Sequence, residues 1–444
     1  MNPQQFGFRK GHSTSHALNF SIEHIQKSLA KHMHVLAIFI DFSKAFDTID
    51  HKILLHKLWH YGIRGNAHSL LQDYLSKRTQ YTNILNEESD KALVIYGVPQ
   101  GSVLGPLLFL IYINDLIECS EQASFVLFAD DTNIFVAGKS YNEAVEKANS
   151  ILSCVSNYTR ANKLHINLEK TCFMHFQPKS TIPMTDTDNS ILTLSGNEVE
   201  EVSETKFLGV TIDNQLSWVA HLKNLTKKLK CCSGQLNRIS NLIPEELHKS
   251  IYHTLFESHL SYGITVWGGV SSVKLRPLFI AQKQCIRILF GDKQAYLEKF
   301  KTTARVRPYQ SQKVGKEFYE KEHTKPLFSQ HKLFAVYNLY NYQVLNSTFK
   351  ILKLRTPIAM YSCFSVSERK ETLLHLPKNQ SESFFYSASS LWNKFLSSPE
   401  GSFAKSFSVG LGCLKSKLKE LIFRCQNMGD PHEWHDDINF VLQH

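Results

Sequence analysis

The stretch "FVLFADDTNIFV", residues 125–136, sets two acids side by side between two apolar runs. The flanking segments are rich in Phe, Val, Leu and Ile and have strand length, so they read as a β-hairpin with Asp130 and Asp131 at its turn. Tight hairpin turns favour Asn-Gly or Asp-Gly because they need positive φ. A second aspartate supplies neither that freedom nor relief from its neighbour's charge. Two carboxylates a few ångströms apart repel by roughly 4 kcal/mol at an effective dielectric of about 20, a cost that a bound divalent cation turns into a gain. Taken alone, an exposed acidic turn is the plainer account.

Upstream, "HVLAIFID" is almost continuously apolar and ends on Asp41, which marks a central strand covered on both faces. A helix is expected over "FSKAFDTIDHKILLHKLWHYG", with Ser43 as N-cap, Phe46, Ile49, Ile53 and Leu58 at helical spacing, and Gly62 as the stop. Downstream of it, "KALVIYGV" reads as a strand and "PQGS" as a turn. "VLGPLLFLIYINDLI" then reads as a buried helix that tolerates Pro106 in its first turn. After the hairpin, an amphipathic helix presents Val145, Ala148, Leu152 and Val155 on one face. "LHINLEKTCFMHF" then reads as a strand and "TKFLGVTID" as a hairpin. The first domain is expected to end near residue 217.

The pair Asp130–Asp131 begins 89 residues after Asp41, yet both are expected at ends of apolar strands in one sheet. Three carboxylates converging on a sheet edge suit two Mg²⁺ ions about 3.5–4 Å apart, the arrangement that serves in-line phosphoryl displacement.

The 444 residues include 43% apolar and 20% charged residues, an ordinary globular balance with room for about three folding units. A formal charge of +10 permits nucleic acid as a partner. Nine scattered cysteines show no Cys-x-x-Cys spacing, which argues against a zinc ribbon or a secreted disulfide framework. The start lacks an apolar signal core, and "VLGPLLFLIYI", the longest apolar run, is about half the length of a membrane span. A soluble intracellular protein of nucleus or cytoplasm, without membrane partners, is expected.

In order along the chain, "AIFIDFSKAFDTIDHKILLHKL", "YGVPQGSVLGPLLFLIYINDL", "FADDTNIF", "NLEKTCFMHF" and "KFLGVTID" resemble successive motifs of the reverse transcriptase palm. Their wording is close to that of non-LTR (LINE-type) retrotransposons of the Jockey-like group. "QFGFRKGHSTSHAL" resembles the finger segment just upstream, and "SFFYSASSLWNKF" resembles the C-terminal tail of these elements. Motifs in the right order are far more specific than any one of them.

The resemblance implies an α+β right-hand polymerase. Partial fingers and palm would occupy residues 1–217, a helical thumb 218–292, a polar basic linker 293–327 and a C-terminal retrotransposon region 328–444. It implies an RNA-directed DNA polymerase that extends a DNA primer on an RNA template with dNTPs, using two Mg²⁺ ions or Mn²⁺ in their place. Asp41, Asp130 and Asp131 would be the metal-binding catalytic carboxylates. Phe46 would pack under the incoming sugar and exclude a ribose 2′-hydroxyl, although a core residue of the helix face accounts for it too. Gln100 and Gly101 would line the nucleotide, where an absent side chain allows close approach. Lys170 would protonate or neutralise the departing pyrophosphate, against the plain reading of a solvated strand charge. The "FLGV" hairpin would grip the primer end.

Asp47 and Asp50 read as structural acids in the first turns of a helix. Arg9, Lys10 and Arg78 are phosphate-contact candidates by position alone, with surface charge as the plainer account. The helix carrying Lys223, Lys227, Lys228 and Lys230, with Leu222, Leu225, Leu229 and Leu236 inward, would follow the template-primer backbone. His432 and His435 make an isolated His-x-x-His without a third ligand, and no metal is assigned to them. An endonuclease domain and the first finger motifs, usual in such elements, are expected to lie outside this chain, which would begin mid-domain. A nucleic-acid-binding remnant without catalysis is the alternative function.

Overall fold

The computed structural model describes residues 1–178, 190–291, 324–367, 370–376, 383–397, 404 and 411–428. Two compact units are present, Met1–Leu216 with Thr356–Ser362, and Ser217–Arg355 with Cys363–His444. Apart from 324–327, the expected linker lies outside the described residues, as do His432 and His435.

The first unit is built on a five-stranded sheet of β1 (His34–Ile40), β2 (Ser124–Phe128), β3 (Asp131–Gly138), β4 (Cys172–Phe176) and β5 (Glu200–Glu201), in the order β5-β4-β1-β3-β2. All pairs are antiparallel except β5 with β4. The near-continuous apolar character of β1 follows from its central place, because both of its faces are covered. Leu36, Ile38 and Ile40 share one apolar cluster with Val145, Ala148 and Leu152 of the helix Tyr141–Ala161. On the opposite face Phe135, the cross-strand partner of Ala37, meets His24 of the helix Thr14–Leu29.

The helix after Asp41 begins at His51, not Ser43. Asp50 is its N-cap, with one carboxylate oxygen accepting from the Lys52 and Ile53 amides at 2.9 and 3.1 Å. Residues 43–47 form turns instead, and the Ser43 amide donates to the His165 carbonyl at 2.8 Å beside the preceding strand end. The helix closes at His60, and Gly62 follows with φ +87°. Its buried Leu54 and Leu58 face the core. Lys57 bridges three helices by donating to the Tyr112 carbonyl, Asp115 and Tyr158 at 2.6, 2.7 and 3.2 Å.

"KALVIYGV" does not enter the main sheet. Its strand is Ala92–Leu93, paired with Thr79–Gln80, and both short strands are exposed, while Tyr96 makes an isolated bridge to Asp50. The next amides are taken by the turn after Asp41, Gly97 donating to Ile49 and Val98 to Phe46 at 2.8 and 3.0 Å. Likewise "LHINLEKTCFMHF" is a strand only over its last five residues. The Leu104–Ile113 helix and the Glu204–Phe207/Val210–Asp213 hairpin form as expected.

In the second unit, the helix Val219–Ile239 packs against Ser272–Phe290, and Val336–Leu354 against Phe384–Ser397 and Leu411–Met428. Leu222, Leu225, Leu229 and Leu236 are buried, while Lys223, Lys227, Lys228 and Lys230 are exposed. Among the described residues, no helix is long and apolar enough to cross a membrane.

Candidate active site

The register of the central strands brings the three acids to one end of the sheet. Ile40 pairs with Thr132, so the next residues outward along this antiparallel ladder are Asp41 and Asp131. Facing residues of such a pair point to the same side. On the outer side Phe128 pairs with Asp131, which makes Ala129 and Asp130 the two turn residues. The turn therefore lies one residue earlier than expected, and Asp131 opens the second strand.

Ala129 carries a left-handed conformation, with φ +57°, in a turn that has no glycine. A segment at the N-terminus holds it there. Phe6 donates its amide to Leu127 at 2.7 Å and Leu127 returns a bond to Gln4 at 3.0 Å. The buried Gln5 side-chain oxygen accepts from both Gly7 and Ala129 at 2.8 and 3.2 Å. Gly7 runs so close to the turn that a Cβ there would stand 2.2 Å from the Ala129 nitrogen.

The electrostatics show that the acids sense one another. Burial raises the Asp130 carboxyl above its usual range, its own backbone N–H works the other way, and the Asp41 charge adds to the rise. Burial, Asp130 and Asp41 push the Asp131 carboxyl up to about 6. The Asp131 side chain keeps some access to solvent, yet protein crowds its carboxylate on enough sides for burial to dominate.

Asp41 is fixed by its backbone. Its carbonyl accepts from the Asn167 amide at 2.8 Å, and its amide donates to the Thr171 hydroxyl at 3.4 Å. The same loop carries Lys170, whose ammonium stands 3.7 Å from the Asp41 carboxylate with both groups open to water.

These hard oxygen donors, crowded and mutually repelling, fit a hard divalent cation in their chemistry. Among the described residues, no three His, Cys, Asp or Glu side chains stand close enough to cage an ion.

The Phe46 ring stacks on Phe109 with centroids 4.3 Å apart and meets the edge of Phe8 at 6.2 Å. Gln100 is exposed, and its amide nitrogen donates to Asp47 at 2.7 Å, so Asp47 positions it. Gly101 has φ +78° with open space where a Cβ would stand, so turn geometry alone already requires glycine. Asp50 caps its helix and pairs with Lys163 at 2.7 Å. Burial raises its carboxyl, but Lys163 and the Ile53 and Lys52 amides outweigh that and hold it below the usual range.

Arg9 donates to the Asn2 and Gln5 carbonyls at 2.7 and 2.9 Å and shapes the N-terminal turn. Arg78 lies over the Tyr74 ring, and the Lys10 carbonyl meets the His12 ring. Gln5, Gly7, Asn167 and Thr171 are site residues that residue type alone did not mark. Their only sequence signal was position inside two motif-like stretches, "QFGF" and "NLEKT".

Comparison with known proteins places residues 1–212 on the family model described as reverse transcriptase (RNA-dependent DNA polymerase). The chain is 28% identical over 296 residues to the probable RNA-directed DNA polymerase from transposon BS of Drosophila melanogaster, covering 64% of this chain and 32% of that protein. It is 24% identical over 298 residues to the RNA-directed DNA polymerase from mobile element jockey of the same organism, covering 65% and 32%. The chain thus spans about a third of the length of these relatives. Among solved structures, a telomerase from Candida albicans in complex with a telomeric RNA fragment aligns at a TM-score of 0.33 and 14% identity, over 67% of this chain and 53% of that one, too loosely to bear on the site.

Proposed function

With residues 1–212 a reverse transcriptase domain homologous to the RNA-directed DNA polymerases of non-LTR retrotransposons, we propose that this chain extends a primer 3′-hydroxyl with dNTPs on an RNA template. The observation that carries the proposal is the placing of Asp41, Asp130 and Asp131 at one sheet end, where burial raises both hairpin carboxyls and the Asp41 charge adds to each. Asp41, Asp130 and Asp131 would hold divalent cations, Mg²⁺ or Mn²⁺, which when bound stabilise the attacking and leaving oxygens of an in-line displacement.

Phe46, backed by Phe109, forms an aromatic floor under the incoming sugar that leaves no room for a 2′-hydroxyl. Gln100, steadied by Asp47, lines the nucleotide, and Gly101 lets its backbone come close. Lys170 neutralises the departing pyrophosphate or donates a proton to it. The exposed lysines of the Val219–Ile239 helix follow the nucleic acid backbone without reading sequence.

The test is primer extension by the full chain on an RNA template, comparing it with Asp41→Asn and Asp130→Asn variants of equal fold by circular dichroism. Loss of incorporation in both is expected, and undiminished incorporation in either would refute the assignment. The +10 charge and the exposed lysine face support a second reading, an RNA–DNA binding protein without catalysis. In that case hybrid binding falls steeply with salt while extension stays at background with and without Mg²⁺.

A further inference from the structure

His56 and His60 stand four residues apart on the helix His51–His60, hence on one face, and both are exposed. Their ring centroids are 4.5 Å apart, and their Nε2 atoms are 3.2 Å apart. Imidazole nitrogens bound to zinc at about 2.0–2.1 Å in tetrahedral geometry lie about 3.3 Å from each other. The two rings therefore already hold chelating separation. An N–H···N hydrogen bond between neutral rings explains the same distance; to bind a cation the donor ring moves its proton from Nε2 to Nδ1, which leaves both Nε2 lone pairs free without loss of a proton.

We propose that His56 and His60 form a bidentate surface site for a borderline divalent cation, Zn²⁺ foremost, separate from the carboxylate site. Imidazole donors select zinc, nickel or copper over magnesium, so the two sites divide cations by softness. The helix cannot roll away from this presentation, because Leu54 and Leu58 are buried on its other face and Lys57 is tied to Asp115 and the Tyr112 carbonyl. His60 is the last residue of the helix, the end at which the helix dipole favours positive charge.

The other histidines nearby each hold a backbone carbonyl with Nε2. His51 meets the Gly97 carbonyl at 2.7 Å, and His68 meets the Leu55 carbonyl at 3.1 Å. With no third His, Cys, Asp or Glu completing a cluster among the described residues, the remaining coordination positions are left to water or to a ligand from outside. Exposed Lys52, one turn earlier, is a like charge that keeps the affinity modest.

The experiment is titration of Zn²⁺ into the full chain in excess Mg²⁺, by calorimetry, for the parent and for His56→Ala, His60→Ala, the double variant and His68→Ala. Other histidines and cysteines give sites common to every isotherm, so the differences are read. Either single substitution should weaken one site by about tenfold or more, since the second imidazole is lost as a tethered ligand. The double variant should add little, and His68→Ala should match the parent. Identical isotherms for parent and double variant, displacement of the zinc by Mg²⁺, or equal loss in His68→Ala would overturn the proposal. Circular dichroism of each variant confirms that the helix persists.

Discussion

Gly7 and Ala129 lie in backbone contact, and a Cβ on residue 7 would stand 2.2 Å from the Ala129 nitrogen and 3.0 Å from its Cα. Neither partner can give way cheaply, because Ala129 holds a left-handed turn between two paired strands. Gly7→Ala should cost about 1–3 kcal/mol by overpacking and should shift the Asp130–Asp131 turn. Urea denaturation checks the first effect and primer extension the second. A variant with parental stability and activity would show that the contact is slack.

Asp131 predicts a stability that falls with rising pH. Burial and the neighbouring acids push its folded carboxyl up from the ordinary carboxylate range to about 6, so the folded state holds the proton more tightly and the cost of the bare carboxylate appears across that window as pH rises. Without divalent cations, Asp131→Asn should therefore be more stable than the parent at pH 7–8, by roughly 1 kcal/mol once solvent screening has discounted the full shift. The difference should vanish below about pH 4. Added Mg²⁺ should stabilise the parent more than the variant. Parallel melting curves across the whole pH range would contradict this.

Asp50 works with the opposite sign. Its carboxyl is held below the usual range, so the stability it contributes is present at neutral pH and lost as the solution is acidified through its folded pKa. Asp50→Ala should cost about 1–2 kcal/mol at pH 7 by removing the helix cap, and the gap should close in acid. Thermal melts at the two pH values measure it, and a gap that widens in acid would reverse the assignment.

Lys170 separates chemistry from architecture. Its ion pair with Asp41 is long, at 3.7 Å, and both side chains face water, so Lys170→Ala should change stability by no more than about 0.5 kcal/mol. If the ammonium serves the leaving group, extension should slow by roughly a hundredfold or more. Parental turnover in the variant would remove Lys170 from the site.

The parts of the fold written in side-chain pattern were legible before any coordinates. β1 and the acidic hairpin announce themselves by apolar runs, and the Tyr141–Ala161 helix by spacing, because each buries a whole face. The misreadings arose where backbone partners outweighed pattern. Ser43 resembles a cap, but the chain turns from Ser43 to Asp47 and the Asp50 carboxylate caps instead. Phe46 and Ile49 mimic helical spacing because a turn can also aim both inward. The Asp-Asp turn slipped by one residue because Ala129 adopts positive φ under pressure from Gln5 and Gly7, which are distant in sequence. The three acids could be grouped from sequence, whereas the supports beneath them act through amides and carbonyls that every residue possesses.

The loop through Asn167 and Thr171 grips the Asp41 main chain while bearing Lys170 at its far side. The backbones that carry the anion and its counter-cation are thus tied together within a handful of residues. Fraying at the outer strands leaves that tie untouched. A break at the Asn167 amide or the Thr171 hydroxyl would free the Asp41 main chain from the loop that bears Lys170.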